Sequence, residues 1–94
     1  MMQISEIKSR IIEECKKYNA QEVVLFGSRA KGTAKATSDF DIAVTGVKDI
    51  EGLREELDSI PTLYKIDLVD MDTCCNNLLL EDIQNYGCKI YQKI

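Results

Sequence analysis

Val23-Val24-Leu25-Phe26-Gly27-Ser28, then ten residues, then Asp39-Phe40-Asp41-Ile42-Ala43-Val44: this stretch decides how the chain folds. The apolar run from Val23 to Phe26 is unbroken and closed by a glycine, the pattern of a strand buried on both faces. The residues numbered 27–38 are small and basic, and read as a turn, one short helix at most, and a loop. A second strand starts near Asp39 and runs through Ile42, Ala43 and Val44 to Gly46. Side chains alternate along a strand, so Asp39 and Asp41 project to one face while Phe40 turns to the other, into the core.

Working outward, Ile4, Ile7, Ile11, Cys15 and Tyr18 recur at helical spacing with Glu and Lys between them, giving an amphipathic helix over 4–18 that Asn19 and Ala20 end. Asp49 is placed as the N-cap of a helix carrying Ile50, Leu53, Leu57 and Ile60, which Pro61 stops. Lys65 to Asp70 reads as a third strand. Leu79, Leu80, Ile83 and Tyr86 form a last helix with Gly87 as its C′ residue, and Cys88 to Tyr91 add a final strand. The order α-β-β-α-β-α-β predicts an α/β or α+β layer in which helices flank a small mixed β-sheet, one domain over residues 1–94. Leu78, Leu79 and Leu80 in a row exceed what one buried helix face uses, and the surplus points to an interface.

Composition narrows the chemistry. The chain has 94 residues, 12 Lys plus Arg, 16 Asp plus Glu and a formal charge of −4, which disfavours direct binding to a nucleic-acid backbone. It contains no histidine, so hydrolytic triads, the HExxH zinc site and every histidine-based proton transfer are excluded. Cys15, Cys74, Cys75 and Cys88 have no CxxC spacing and read as reduced thiols. Neither a signal peptide at the N-terminus nor an apolar stretch of membrane-spanning length is present, so a cytoplasmic protein without a membrane association is expected.

The remaining chemistry is that of oxygen ligands. Two carboxylates held side by side at Asp39 and Asp41 repel unless a cation lies between them, and a hard divalent ion such as Mg²⁺ suits that place. A third acid, Asp67, sits between Ile66 and Leu68 in the third strand. A helix joins the second strand to the third, which is how parallel neighbours are connected, so Asp41 and Asp67 come to the same end of the sheet. An antiparallel first strand delivers Gly27-Ser28 there too. Arg29, Lys31 and Lys35 make the intervening stretch basic, while the rest of the chain carries 9 basic and 16 acidic residues. A glycine-bearing positive turn facing carboxylates fits a metal–triphosphate complex. Asp70 and Asp72 repeat the Asp-x-Asp spacing, but past the third strand, and read as surface residues. Tyr18, Tyr64, Tyr86 and Tyr91 read as packing or interface residues.

Gly27-Ser28-x10-Asp39-x-Asp41 followed by Asp67 resembles the signature of the polymerase-beta-like nucleotidyltransferase superfamily. Gly27 to Gly32 and Asn85-Tyr86-Gly87-Cys88-Lys89-Ile90-Tyr91 look like its minimal nucleotidyltransferase branch. The resemblance implies the superfamily's small mixed sheet, ATP as substrate and two Mg²⁺ ions. It implies that Asp39, Asp41 and Asp67 bind metal and are catalytic, with Asp67 assisting deprotonation. Gly27, Ser28, Arg29 and Lys31 would contact the nucleotide, although Lys31 stands where many relatives have arginine. Minimal nucleotidyltransferases of this kind pair with HEPN-domain RNase toxins, and characterised members transfer AMP to a toxin tyrosine. The implied function is therefore that of an adenylylating antitoxin. Two alternatives stand beside it: an antitoxin that neutralises by binding alone, and transfer to a small molecule or RNA. A homo-oligomer is compatible with the sequence.

Overall fold

The computed structural model describes residues 3–27, 32, 39–62 and 64–93. In chain order these form α1 (Ile4–Lys17), β1 (Glu22–Phe26), β2 (Phe40–Thr45), α2 (Ile50–Asp58), β3 (Ile66–Asp70), α3 (Asn77–Tyr86) and β4 (Cys88–Gln92). The small mixed sheet flanked by helices is borne out. Its strand order is β3-β2-β1-β4, with β1 antiparallel to both neighbours and β2 parallel to β3.

Local chemistry sets the element ends. Asn19 takes a left-handed φ of 62°, tolerable for asparagine, and its N–H bonds Lys16 O while Ala20 N–H bonds Cys15 O. That pair of bonds closes α1 as a Schellman motif. The Asp49 carboxylate accepts from Gly52 N–H at 3.1 Å, the expected N-cap of α2. Asn76 caps α3 in the same way through Leu79 N–H at 3.2 Å, a role its sequence context did not announce.

Gly87 requires a correction. It follows α3, but with φ −69° and ψ 146°, not in the left-handed conformation of a C′ glycine. A Cβ there would lie 2.2 Å from Ile83 O and 2.6 Å from Val24 Cγ1. Glycine is needed for close approach of chain to sheet, and backbone handedness has no part in it.

The two faces of the sheet are covered unequally. Val23, Leu25, Phe40, Ile42, Val44, Ile66 and Leu68 pack against Ile7, Ile11 and Cys15 of α1 and Leu53 and Leu57 of α2. On the other face Val24, Phe26 and Ala43 meet Ile83, with Leu79, Val69 and Met71 beside them. Among the described residues, two helices close the first face and α3 lies on the second. Leu78, the leftover of the leucine run, is 79% exposed, and Tyr86 is 58% exposed. The other tyrosines pack as expected: Tyr64 meets Phe40 edge-to-face with centroids 5.7 Å apart, and Tyr91 lies under Lys16 Nζ at 5.2 Å.

One polar residue sits where the sequence pattern placed a solvent face. Glu14 is 2% exposed; its Oε1 meets Lys17 Nζ at 3.2 Å and Arg10 Nε at 3.4 Å, and its Oε2 has no hydrogen-bond partner. All four cysteines are free thiols. Burial, with Glu14 adding, pushes the Cys15 thiol up to about 12. Among the described residues no helix is long and apolar enough to cross a membrane.

Candidate active site

Register across three strands builds the site. Phe26 of β1 pairs with Asp41 of β2, and Asp41 pairs with Asp67 of β3, so the three residues stand in one row. Directly paired residues share a face, and this row lies on the α3 face of the sheet, with Ala43 and Val69 next along it. Asp39 precedes β2 by one residue and is exposed. The parallel β2-α2-β3 connection thus brings Asp41 and Asp67 to one end, and antiparallel β1 delivers Gly27 to the same end.

Gly27 turns the chain there with φ 75°. A Cβ on it would stand 2.3 Å from Asp41 Oδ2 and 3.2 Å from its Cγ. Both the backbone handedness and the carboxylate pressed against it exclude any side chain. The Asp41 carboxyl is held above its ordinary pKa, first by burial, then by the charges of Asp67 and Asp39. Three acids therefore interact through one half-buried carboxylate.

The side chain of Asp67 is 43% exposed and points outward, not into the core. Lys65 Nζ stands 3.5 Å from Asp67 Oδ1. Lys65 directly precedes β3 and continues its ladder, so it shares a face with Asp67 two residues on. Spacing alone makes this cation readable from the sequence, although it was missed. Ser28, Arg29, Lys31 and Lys35 lie outside the described residues. Asp70 and Asp72 are at the opposite end of the sheet. Asp70 proves to be the last residue of β3, paired with Val44, instead of lying past the strand. It accepts from Asp72 N–H and Thr73 Oγ1, while Asp72 accepts from Gly46 N–H at 2.7 Å. Both tie turns together, away from the acid row.

This donor set fits a hard divalent cation: carboxylates only, solvent-facing, and mutually repelling. Among the described residues no three such groups are already drawn into a coordination cage, as expected of like charges with nothing between them.

Residues 9–93 match the family described as Polymerase beta, Nucleotidyltransferase, and the chain belongs to that family. Its structure is similar to the crystal structure of a toxin-antitoxin with AMP-PNP, at 27% identity and TM-score 0.75 over 92% of this chain and 73% of that one. It is similar also to the toxin-antitoxin MntA-HpeT in a variant with two aspartates, two positions apart, exchanged for glutamate. There identity is 25% and TM-score 0.74, over 92% of this chain and 73% of that one. A Sulfolobus solfataricus structure shares the fold alone, at 24% identity and TM-score 0.55, over 92% of this chain and 77% of that one. No curated protein sequence matches the chain.

Proposed function

We propose that this chain is a Mg²⁺-dependent nucleotidyltransferase that moves AMP from ATP onto a hydroxyl, that of a tyrosine, of a HEPN-type RNase toxin, and so serves as its cytoplasmic antitoxin. The observation that carries the reading is the row of Asp41 and Asp67 beside Asp39, with Gly27 pressed on the Asp41 carboxylate. Carboxylates so arranged cost stability on their own, and a cation–triphosphate complex converts that cost into binding. Similarity to a toxin-antitoxin with AMP-PNP, an ATP analogue, supports both the nucleotide and a protein partner.

In this reading Asp39, Asp41 and Asp67 hold the metal. When bound, Mg²⁺ neutralises the triphosphate and favours in-line displacement. Gly27 leaves the turn free to approach the phosphates, where Ser28, Arg29 and Lys31 make contact. The acceptor oxygen bonds to the α-phosphorus as the bond from that phosphorus to the bridging oxygen breaks, and pyrophosphate leaves. The hydroxyl proton passes to Asp67, whose side chain is 43% exposed and faces the outer edge of the sheet, where an incoming acceptor can meet it.

The test is incubation of the intact protein with α-labelled ATP, Mg²⁺ and the protein encoded beside it. Label on that protein with wild type, and none with Asp41→Asn, is the expected result. Absence of label with wild type refutes transfer to this partner. Equal neutralisation of the toxin by an Asp39→Ala, Asp41→Ala protein refutes catalysis as the means of protection.

A further inference from the structure

Among the described residues β3 is the outermost strand on its side of the sheet, and an open strand edge is a template for a further strand. The ladder fixes which of its backbone groups point outward. Phe40 N–H donates to Lys65 O at 2.9 Å, and Met71 N–H donates to Val44 O at 3.0 Å. Odd-numbered residues therefore turn their backbone groups toward β2, and Ile66 and Leu68 turn theirs away from it. Arg54 agrees with that direction, since its Nη2 reaches Leu68 O at 3.4 Å from α2.

A groove of about 390 Å³ runs along this edge between α2 and β3, lined by Arg54, Asp58, Lys65, Asp67 and Leu68 among others. Asp67 belongs to both the groove and the acid row. A chain lying in the groove in extended form would present alternate side chains to two different surroundings. One set meets Arg54 and Asp58 on the α2 side. The other meets Lys65 and Asp67, on the face that carries the carboxylates.

We propose that the acceptor segment of the partner protein docks as an added strand on the outer edge of β3. It would use the outward N–H and C=O groups of Ile66 and Leu68, with its hydroxyl-bearing residue beside Asp67. This rests on the transfer reading above and gives it a mode of acceptor recognition. The main-chain bonds supply affinity with little demand on sequence, and the period of two decides which hydroxyl faces the acids.

Amide hydrogen exchange of the full chain, with and without the intact partner, reads the edge directly. Exchange at Ile66 and Leu68 N–H is expected to slow on the order of tenfold or more when the partner binds. Asp67 and Val69 N–H, already in the ladder, should change little. A synthetic peptide spanning the acceptor tyrosine, N-methylated at alternate positions, gives the second arm. Methylation at amides facing β3 should lower kcat/KM about tenfold per lost bond, and methylation at the intervening amides should not. Unchanged exchange at Ile66 and Leu68 in the bound complex overturns the proposal, as does equal sensitivity to both methylation registers. Protection that grows with protein concentration before any partner is added also overturns it, because the edge would then belong to a second copy. If wild type labels no partner at all, the transfer reading falls by itself, and exchange in the complex still decides the edge.

Discussion

Replacing Asp41 by asparagine should make the metal-free protein more stable, although it removes a residue placed at the centre of the site. The magnitude follows from the register. Neighbouring strands lie ~4.8 Å apart, so side chains paired across them on one face bring their charges to about 5 Å. Two unit charges at ~5 Å repel by about 0.8 kcal/mol in water and by about 3 kcal/mol at an effective dielectric of 20. The exposure of Asp67, 43%, puts the pair near the watery end of that range, and Lys65 offsets part of the repulsion. Exposed Asp39 adds a few tenths of a kcal/mol at most. A gain of about 1 kcal/mol corresponds to a rise in Tm of roughly 4–8 °C for a domain of this size.

The pH dependence has a definite sign. The folded-state pKa of Asp41 is raised, so its ionisation lowers stability as pH rises through that value. The advantage of Asp41→Asn over wild type should therefore approach zero as pH falls toward the unfolded carboxylate value, about 3.9, and reach its full size by neutral pH. Sodium chloride at 1 M, with a screening length of about 3 Å, should shrink it. Thermal melts of both proteins between pH 4 and pH 8, at low and high salt without divalent ions, measure all three effects. An unchanged or lower Tm for the variant at neutral pH and low salt would refute the claim that these acids repel. Addition of Mg²⁺ should then raise the Tm of wild type and leave that of the variant nearly unmoved.

Gly27→Ala should lose about 1–2 kcal/mol from the left-handed backbone and more from the contact with Asp41, and the second part should vanish when Asp41 is also alanine, as a double-mutant cycle by denaturant unfolding would reveal. Gly87→Ala should cost about 1–3 kcal/mol by steric overlap with Ile83 O and Val24, with no conformational contribution, and should lower the urea midpoint at unchanged slope. Glu14→Met should be neutral or stabilising, because it removes a buried carboxylate with an orphan oxygen, and Glu14→Ala should destabilise by leaving a void; paired thermal melts decide this. A thiol reagent at pH 8 should modify Cys75 and Cys88 in the native protein and reach Cys15 only on unfolding.

The site was legible where it depended on period and connection. Alternation alone turned Phe40 into the core and Asp41 to the other face, and the helix between β2 and β3 implied the parallel pairing that sets Asp67 beside Asp41. Asp49 as a cap was equally local. The failures share another cause. Gly87 was assigned a glycine's usual role at a helix end, but its real constraint is the proximity of Val24, more than sixty residues away in the chain. Glu14 falls on the charged flank of a helical pattern, and nothing in that pattern says that this position is buried in the folded chain. Both depend on distances between elements, which periodicity does not carry.

Among the described residues the acid row lies on the less covered face of the sheet. One face takes two helices and a full apolar layer, whereas on the other the described residues place α3 over Val24, Phe26 and Ala43. Closing the second face as fully would bury Asp41 and Asp67 together, and two like charges in a dry interior cost several kcal/mol each. The chain instead keeps Asp41 half-buried, deep enough to be raised in pKa and shallow enough to be reached. A sheet edge lies one strand away, at β3, where the acceptor of the proposed transfer would approach from outside. A carboxylate row at this depth favours an acceptor that brings its own covering surface, as a folded protein does, which agrees with the proposed transfer to a partner protein.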